Sequence, residues 1–505
     1  MHRFVRNGSV IAAGALAAAA AGLLLRSVVA FRFGATTETD ALMAALLAAD
    51  VFTIPAVWIL TTTFVPTFTR LAAHDRNDAS TVARTVVVLA TVTLVLLALG
   101  AVALAGPLAR GMVGRGNPDL VSHTASLLPL LATAGVLVCI GGLATSLLQI
   151  HENFWLPALL LPARSVAAIA ATLILGPAAG ARAVVYGVVA GYFLQTLCLC
   201  VAAARHLPLR GPIAPAHPAL RGMIRLMLPM IAGTLTFQIN NLISVRFASG
   251  LDAGSITQFN YASALAIMLS GLIGGSLTDA SFPNVSRSAT LNDGGREFRV
   301  HVALLLRTVM MVAAAAAAAL TVSAHEVASL LFGHGPFAGA AVEGTARVLR
   351  LLAIGLVVLP GPTVLSRVFY AMGNTRVPQL LVVPAVALHL MLNWLLVPHF
   401  GIAALAVTTT ASHACLSVLL VMVLCVRYRV LDRDALADAA GVAVTTGVAV
   451  FVAMLAVRYA VGAAGDTSLT WQAARLLMVV SSGGLAFLLT TCTPATAALK
   501  RYITA

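Results

Sequence analysis

Charged residues are scarce in this chain, at 10% of 505 residues, and acidic ones are scarcest, with 17 Asp and Glu against 31 Lys and Arg. No polar stretch is long enough to fold as a separate soluble domain. A soluble body that is 60% hydrophobic, with mean hydropathy +0.98, would expose more apolar surface than water tolerates. The glycines of "LLFGHGPF" are followed by no Lys-Ser/Thr, so a nucleotide-binding P-loop is excluded and ATP is not the direct energy source. No nucleophile–base arrangement stands out, so the chain does not read as an enzyme. The cysteines Cys139, Cys198, Cys200, Cys415, Cys425 and Cys492 all lie inside apolar runs. Cys198 and Cys200 are two apart and so face different sides of a helix, which favours free thiols over disulfides or a metal site. His389 and Asn393 are one helical turn apart with no third ligand near them, which argues against zinc. No cofactor is expected beyond a possible coupling cation or the membrane potential.

What the chain has instead is hydrocarbon-loving sequence. A helix needs about 20 apolar residues to cross a bilayer core. Fourteen segments qualify, at about 10–33, 41–68, 83–109, 120–149, 155–178, 183–205, 220–248, 256–283, 300–324, 344–372, 377–398, 401–427, 435–461 and 470–495. The first of them lacks an A-x-A cleavage site and reads as a span, not as a removable leader. The expected fold is an all-α polytopic membrane protein of about 14 transmembrane helices.

The net charge of +14 is spread through short connectors, so it speaks of topology and not of nucleic acid. With Arg3 and Arg6 on the cytoplasmic side, most of the 31 basic residues fall in inside connectors, among them Arg70, Arg76, Arg84, Arg205, Arg210, Arg221, Arg225, Lys500 and Arg501. Both termini are therefore expected in the cytoplasm, and the turn after span one on the outer face.

Two stretches echo each other. "FRFGATTETDALMAALLAADVFTIPAVWILTTTFVPTFTRLA" and "VRFASGLDAGSITQFNYASALAIMLSGLIGGSLTDASFPNVSRSA" each begin Arg-Phe, pass a short Gly-containing acidic turn and end on Pro-x-x-Ser/Thr-Arg. Pro66 to Arg70 matches Pro283 to Arg287. Spans one to six then correspond to spans seven to twelve as a parallel repeat. The predicted organisation is an N-terminal lobe over 1–210, a C-terminal lobe over 211–430 and a two-helix appendage over 431–505, with the substrate route where the lobes meet.

A charge within the bilayer costs about 2.5–3.5 kcal/mol on insertion scales and usually faces a cavity or a partner. Arg26 lies roughly 10 Å inward from the end of span one at 1.5 Å per residue, placed either to hold a phosphate or to snorkel outward. Arg32, with its repeat counterpart Arg246, reads as an interface anchor. Asp40 opens span two, where helix capping and the macrodipole suit a carboxylate and a gating role is the sharper alternative. Asp50 sits near mid-bilayer in "LLAADVFTIP", where capping explains nothing, so it is expected either protonated or paired with Arg26 and suited to ion or proton coupling. Arg164 lies a third of the way into span five. Asn240 and Asn241 in "FQINN", with Asn260 in span eight, are either interhelical hydrogen-bonding groups or a wall for sugar hydroxyls.

"FGATTETDAL", "FVPTFTRL", "MLPMIAGTLTFQINNLISVRFAS", "LLFGHGPF", "FYAMGNTRVP" and "LNWLLVPHFGIAALA" occur in order from span one to span twelve, and together they resemble the MurJ (MviN) family. That resemblance implies a flippase of undecaprenyl-linked peptidoglycan precursor in the bacterial inner membrane. It also implies a superfamily shared with polysaccharide-precursor flippases and MATE exporters, and two six-helix lobes around a cavity that opens alternately to each side. The family cavity is described as lined by arginines that hold a diphosphate. Arg26 is the nearest counterpart to one of them. Three other positions here read "GALAAAAAG", Phe52-Thr53, and "ASA" at 262–264.

The function expected is therefore translocation of a polyprenyl-diphosphate-linked saccharide, lipid II or a related envelope precursor, by alternating access. The substrate-binding residues would be Arg26, Arg164, Asn240, Asn241 and Asn260, with Asp40 and Asp50 for coupling or gating. Membrane lipids and cell-envelope synthesis proteins are the expected partners. The alternatives are a cation-coupled small-molecule exporter on the same architecture, or a transport-dead scaffold for envelope synthesis.

Overall fold

The computed structural model describes residues 2–206, 211–290, 295–461 and 469–491. Arg210, Cys492, Lys500 and Arg501 lie outside the described residues. Among the described residues the regular structure is α-helix with one short 3-10 turn. Twelve helical stretches there are long and apolar enough to cross a membrane. The chain forms two compact units, Met1–Thr257 with Gly335–Phe337, and Gln258–His334 with Ala338–Ala505.

The first unit holds α1 (His2–Phe33), α2 (Thr37–Ala72), α3 (Arg76–Ala103), α4 (Ala105–Val113), α5 (Pro118–Ile150), α6 (Trp155–Leu160), α7 (Ala163–Ala179), α8 (Arg182–Ala203) and α9 (Pro218–Ala248), and takes in the first turn of α10 (Ser255–Thr290). The second continues α10 and adds α11 (Arg296–Phe332), α12 (Ala340–Gly355), α13 (Gly361–Ala371), α14 (Arg376–Phe400), α15 (Ile402–Val426), α16 (Arg433–Ala460) and α17 (Leu469–Thr491).

Each of the fourteen apolar segments coincides with a helix or a helix pair. Three expected continuous spans are broken instead, and proline chemistry explains where. A proline has no N–H, and its ring clashes with the carbonyl four residues back. Pro107 meets Ala103 that way and ends α3, Pro162 separates α6 from α7, and the Pro360-Gly361-Pro362 run separates α12 from α13. Gly274 of α10 lies so close to the last break that a Cβ there would stand 2.9 Å from the Pro360 Cβ. Single prolines with no such company, such as Pro55 and Pro66 in α2, leave their helices continuous.

In the first unit a core of Phe64, Phe68, Val82, Leu143, Leu147 and Leu199 binds α2, α3, α5 and α8. In the second, the alanine-rich run of α11 forms a smooth helix face, since alanine carries the best helix propensity and the least bulk. Val322 of α11 packs there with Val450 and Met454 of α16 and Val479 of α17. Two ion pairs fix the register of α11 on α16: Arg307–Asp438 at 2.9 Å and Arg458–Glu326 at 3.0 Å. His389 and Asn393 are buried between α14 and α15, where the Asn393 amide donates to the His389 carbonyl at 2.7 Å and its oxygen accepts from Thr408 at 3.0 Å. The Asn393–Thr408 bond joins the two helices.

At the α5–α6 turn the His151 ring stacks on His206 with centroids 4.1 Å apart and planes 13° from parallel. Burial first, then the positive fields of His206 and Arg76, hold the His151 pKa below its ordinary value of about 6.5. The fold therefore prefers neutral His151. Below pH ~6.5 the unfolded chain binds the extra proton more readily, so this stabilisation is complete above that pH and lost as the pH falls. The melting temperature of the purified protein should drop between pH 7.5 and 5.5, and drop less in His151→Gln. Equal drops in the two proteins would refute this account of the turn.

Candidate functional site

The first turn of α2 gathers helix ends. Thr36 caps α2 itself: its hydroxyl accepts from the Thr39 N–H at 3.3 Å, and the Thr39 hydroxyl accepts from the Thr36 N–H at 2.8 Å. The two carboxylates of that turn serve other helices. Glu38 Oε1 accepts from the Ala181 N–H at 2.7 Å, at the start of α8. Asp40 is 4% exposed and accepts three hydrogen bonds where α10 begins: from the Gly254 N–H to Oδ2 at 2.7 Å, and to Oδ1 from the Thr257 N–H at 2.8 Å and the Thr257 hydroxyl at 2.6 Å. The expectation of a carboxylate at a helix N-terminus was right in kind, but the helix capped is α10. Asp40 and Thr257 are 217 residues apart, the same separation as Pro66 and Pro283, so they are repeat counterparts bonded to each other. Gly254 has φ +89°, and a Cβ there would stand 2.7 Å from the Ala35 carbonyl oxygen, so the turn requires glycine.

Arg26, Asp50 and Arg164 come from α1, α2 and α7 and converge within one unit. Both arginines attract the Asp50 carboxylate, Arg164 more strongly than Arg26. Arg164 Nη1 donates to the Tyr192 hydroxyl at 3.0 Å, and its guanidinium lies 5.6 Å from the centre of that ring. Gln238 of α9, 5% exposed, donates to the Asp50 backbone carbonyl at 3.3 Å. Asn241 in turn donates to Gln238 Oε1 at 3.3 Å. Asn240 lies one residue away on α9. Asn260 belongs to the second unit, where its amide oxygen is buried without a hydrogen-bond partner. Asp40 stands ten residues before Asp50 along α2, about 15 Å away on a straight helix, and is no member of the cluster.

Tyr192 is the member that residue-by-residue reading missed. Its signal was the "GVVAG" run before it. A Cβ at Gly191 would stand 2.6 Å from the Arg164 Cα, and one at Gly187 2.5 Å from the Ala168 Cα. These two glycines let α7 and α8 touch backbone to backbone, the small-xxx-small packing of membrane helices, and that contact sets the distance from Arg164 to Tyr192.

Arg32 and Arg246 also occupy similar settings. Arg32 lies against Gly176 in the last turns of α7, and Arg246 against Gly114, which ends α4. A cation at a helix C-terminus is favoured by the macrodipole.

Comparison with known proteins bears on what the charged cluster serves. The profile of the family described as "Lipid II flippase MurJ" matches residues 29–480, and so covers both units. This chain belongs to the MurJ lipid II flippase family. The lipid II flippase MurJ of Burkholderia cenocepacia is 27% identical over 415 residues, 79% of each chain. A probable MurJ of Bdellovibrio bacteriovorus is 29% identical over 238 residues, 46% of this chain and 45% of that one. Among solved structures, a lipid II flippase MurJ in an inward closed conformation superposes with TM-score 0.79 at 16% identity, covering 98% of this chain and 99% of that one. An inward-facing multidrug resistance MATE transporter of the MOP superfamily reaches 0.64 at 16% identity, covering 81% and 94%. The fold is that of the superfamily, an all-α polytopic membrane protein and a transporter rather than an enzyme.

For this MurJ-family chain two substitutions test the local geometry. Asp40→Ala leaves the buried N–H groups of Gly254 and Thr257 without an acceptor, at about 1–3 kcal/mol each. It should lower the melting temperature by more than Asp40→Asn, which keeps one acceptor oxygen. Equal melting of the two variants would mean that the capping bonds do not hold the turn. Gly191→Leu inserts bulk where backbones touch, a packing cost of about 1–3 kcal/mol. It should destabilise the protein in detergent far more than Gly441→Leu, where a Cβ meets nothing within 4 Å.

Proposed function

We propose that this chain moves lipid II, a polyprenyl-diphosphate-linked saccharide, from the cytoplasmic to the periplasmic leaflet of the bacterial inner membrane. The observation that carries the reading is the family match over residues 29–480 together with two arginines gathered on one carboxylate within the spanning unit. A diphosphate cannot cross bare hydrocarbon, since desolvating its charge there is prohibitive. Arg26 and Arg164 outnumber Asp50, so the cluster has cationic character, and guanidinium forks suit phosphate oxygens. Tyr192 fixes the Arg164 side chain by its hydroxyl and by the face of its ring.

On this reading the isoprenoid tail stays in the bilayer while the headgroup passes the cluster, and the amides of Asn240 and Asn241 offer hydrogen bonds to its sugars. Asp50 holds the two arginines together when the headgroup is absent and gives them up to the diphosphate when it arrives. Exchange between inward and outward access follows the rocking of halves seen across such transporters. The inside-negative potential, about 2.3 kcal/mol per charge per 100 mV, or a coupling cation, supplies the reset. Both termini lie in the cytoplasm on this topology, as the distribution of arginine favours. Proteins of envelope synthesis are the natural partners on either side of the step.

Arg164→Ala and Asp50→Asn, expressed at wild-type level, should each slow translocation by about tenfold or more, equivalent to about 1.4 kcal/mol. The check is the outer-leaflet accessibility of lipid II in cells depleted of other flippase activity. Wild-type accessibility in both variants would refute the assignment of this cluster. Unchanged lipid II exposure on removing the whole protein, with altered drug sensitivity, would instead favour a cation-coupled exporter.

A further inference from the structure

The second unit carries a polar feature with no part in the charged cluster. Along the later half of α10, Leu272, Ser276, Asp279, Pro283 and Arg287 recur every three or four residues, and all five are exposed. They lie on one side of the helix. From Ser276 onward no large apolar side chain is exposed on α10 among the described residues. A lipid-facing helix of the same unit looks different: α14 exposes Leu380, Val383, Leu390, Met391 and Trp394. Charged groups are costly against acyl chains, so the α10 stripe faces water or headgroups.

α13 sets a second polar stripe beside the first. Thr363, Arg367 and Tyr370 carry exposed side chains, whereas Val364, Leu365, Val368 and Phe369 are buried. Gly274, packed on Pro360 at the start of α13, brings the two helices together. Arg367 joins the stripes. Its Nη2 lies 3.3 Å from Asp279 Oδ1, and its guanidinium lies 5.7 Å from the centre of the Phe282 ring, which steadies the cation. Both charged side chains stay open, at 42% for Arg367 and 63% for Asp279. An ion pair this exposed adds little stability. One contact also leaves most of the five guanidinium N–H groups for another acceptor.

We infer that Arg367 is a phosphate contact for the lipid-linked substrate on the second unit, and that Asp279 occupies it while no substrate is bound. This assignment rests on the transport reading and deepens it. Arg367 stands four residues, about 6 Å, before the end of α13. On the topology proposed above that end is cytoplasmic, the side from which the precursor comes. A diphosphate brings more charge and more acceptor oxygens than one carboxylate, and it fits the guanidinium fork. The displaced carboxylate repels the newcomer. The two charges therefore act in opposite senses, Arg367 raising the affinity and Asp279 lowering it. A pair that only joined α10 to α13 would act in one sense.

The test uses the purified full chain in detergent, with a polyprenyl diphosphate as probe and the polyprenyl alcohol of equal length as the control for the tail. Bound probe is counted by native mass spectrometry. Arg367→Gln should weaken diphosphate binding by about fivefold or more, and Asp279→Asn should tighten it by about twofold or more. Neither should change binding of the alcohol. Arg367→Lys, which keeps the charge but not the fork, should fall between wild type and Arg367→Gln and serves if the latter does not fold. Unchanged affinity in the Arg367 variants would overturn the inference, and so would weakening by Asp279→Asn. Competition by phosphatidylglycerol as strong as that by the diphosphate would overturn it too, since the site would then serve any lipid phosphate. Arg164→Ala separates this assignment from the reading beneath it. If Arg164→Ala weakens binding and the Arg367 variants do not, the inference fails and the transport reading stands. If wild type binds the diphosphate no better than the alcohol, both fail.

Discussion

Backbone N–H groups at a helix start have no partner within the helix, and in a low-dielectric setting each must find an acceptor elsewhere. The structure of the first unit depends on how that demand is met at one place. Thr36, Glu38 and Asp40 stand within a single turn, and each serves the start of a different helix: α2, α8 and α10. The positive ends of three helix dipoles thereby face two carboxylates, and the favourable field adds to the hydrogen bonds. Because Asp40 reaches its own repeat counterpart Thr257, the internal duplication of the sequence becomes a physical bond at this turn.

That anchorage frees the remaining charges for other work. Asp50 is one of few carboxylates within the spanning helices of the first unit; the charges of Arg164 and Arg26 act on it, and Gln238 donates to its backbone carbonyl. Pro55 removes the N–H that would have served the Val51 carbonyl, so the α2 ladder lacks a rung one turn beyond Asp50. Rigid packing surrounds the cluster: Gly187 and Gly191 bring α7 and α8 into backbone contact, and Tyr192 buttresses Arg164. A cationic group on a stiff wall is what a phosphate-bearing headgroup needs where water is excluded.

Much of this was legible in order along the chain. Hydropathy located the apolar helices, because the demand for about 20 apolar residues is local and additive. Fourteen segments were expected, and twelve helical stretches among the described residues are long and apolar enough to cross a membrane. The helix breaks were legible in principle, since Gly106-Pro107, Pro162 after Pro157, and Pro360-Gly361-Pro362 all carry the chemistry that stops a helix. They escaped a reading tuned to continuous runs. Asp50 and Arg164 drew attention as lone charges in apolar surroundings. Tyr192 did not, because a tyrosine in a membrane span is unremarkable until the glycine pair before it is known to press against the helix that bears Arg164.

The sequence by itself determined the class of fold and the identity of the charges that must be accounted for, because these follow from transfer free energies of single residues. Only the tertiary structure decided which charge answers which. Asp40 stands where it could serve its own helix, but it caps α10. Asp50, expected either protonated or paired with Arg26, feels the charge of Arg164 as well as that of Arg26, and Arg164 lies more than a hundred residues farther along the chain. Hydrogen bonds and ion pairs depend on distances of a few ångströms between residues far apart in sequence, and those distances are set by how helices pack, which no local pattern records.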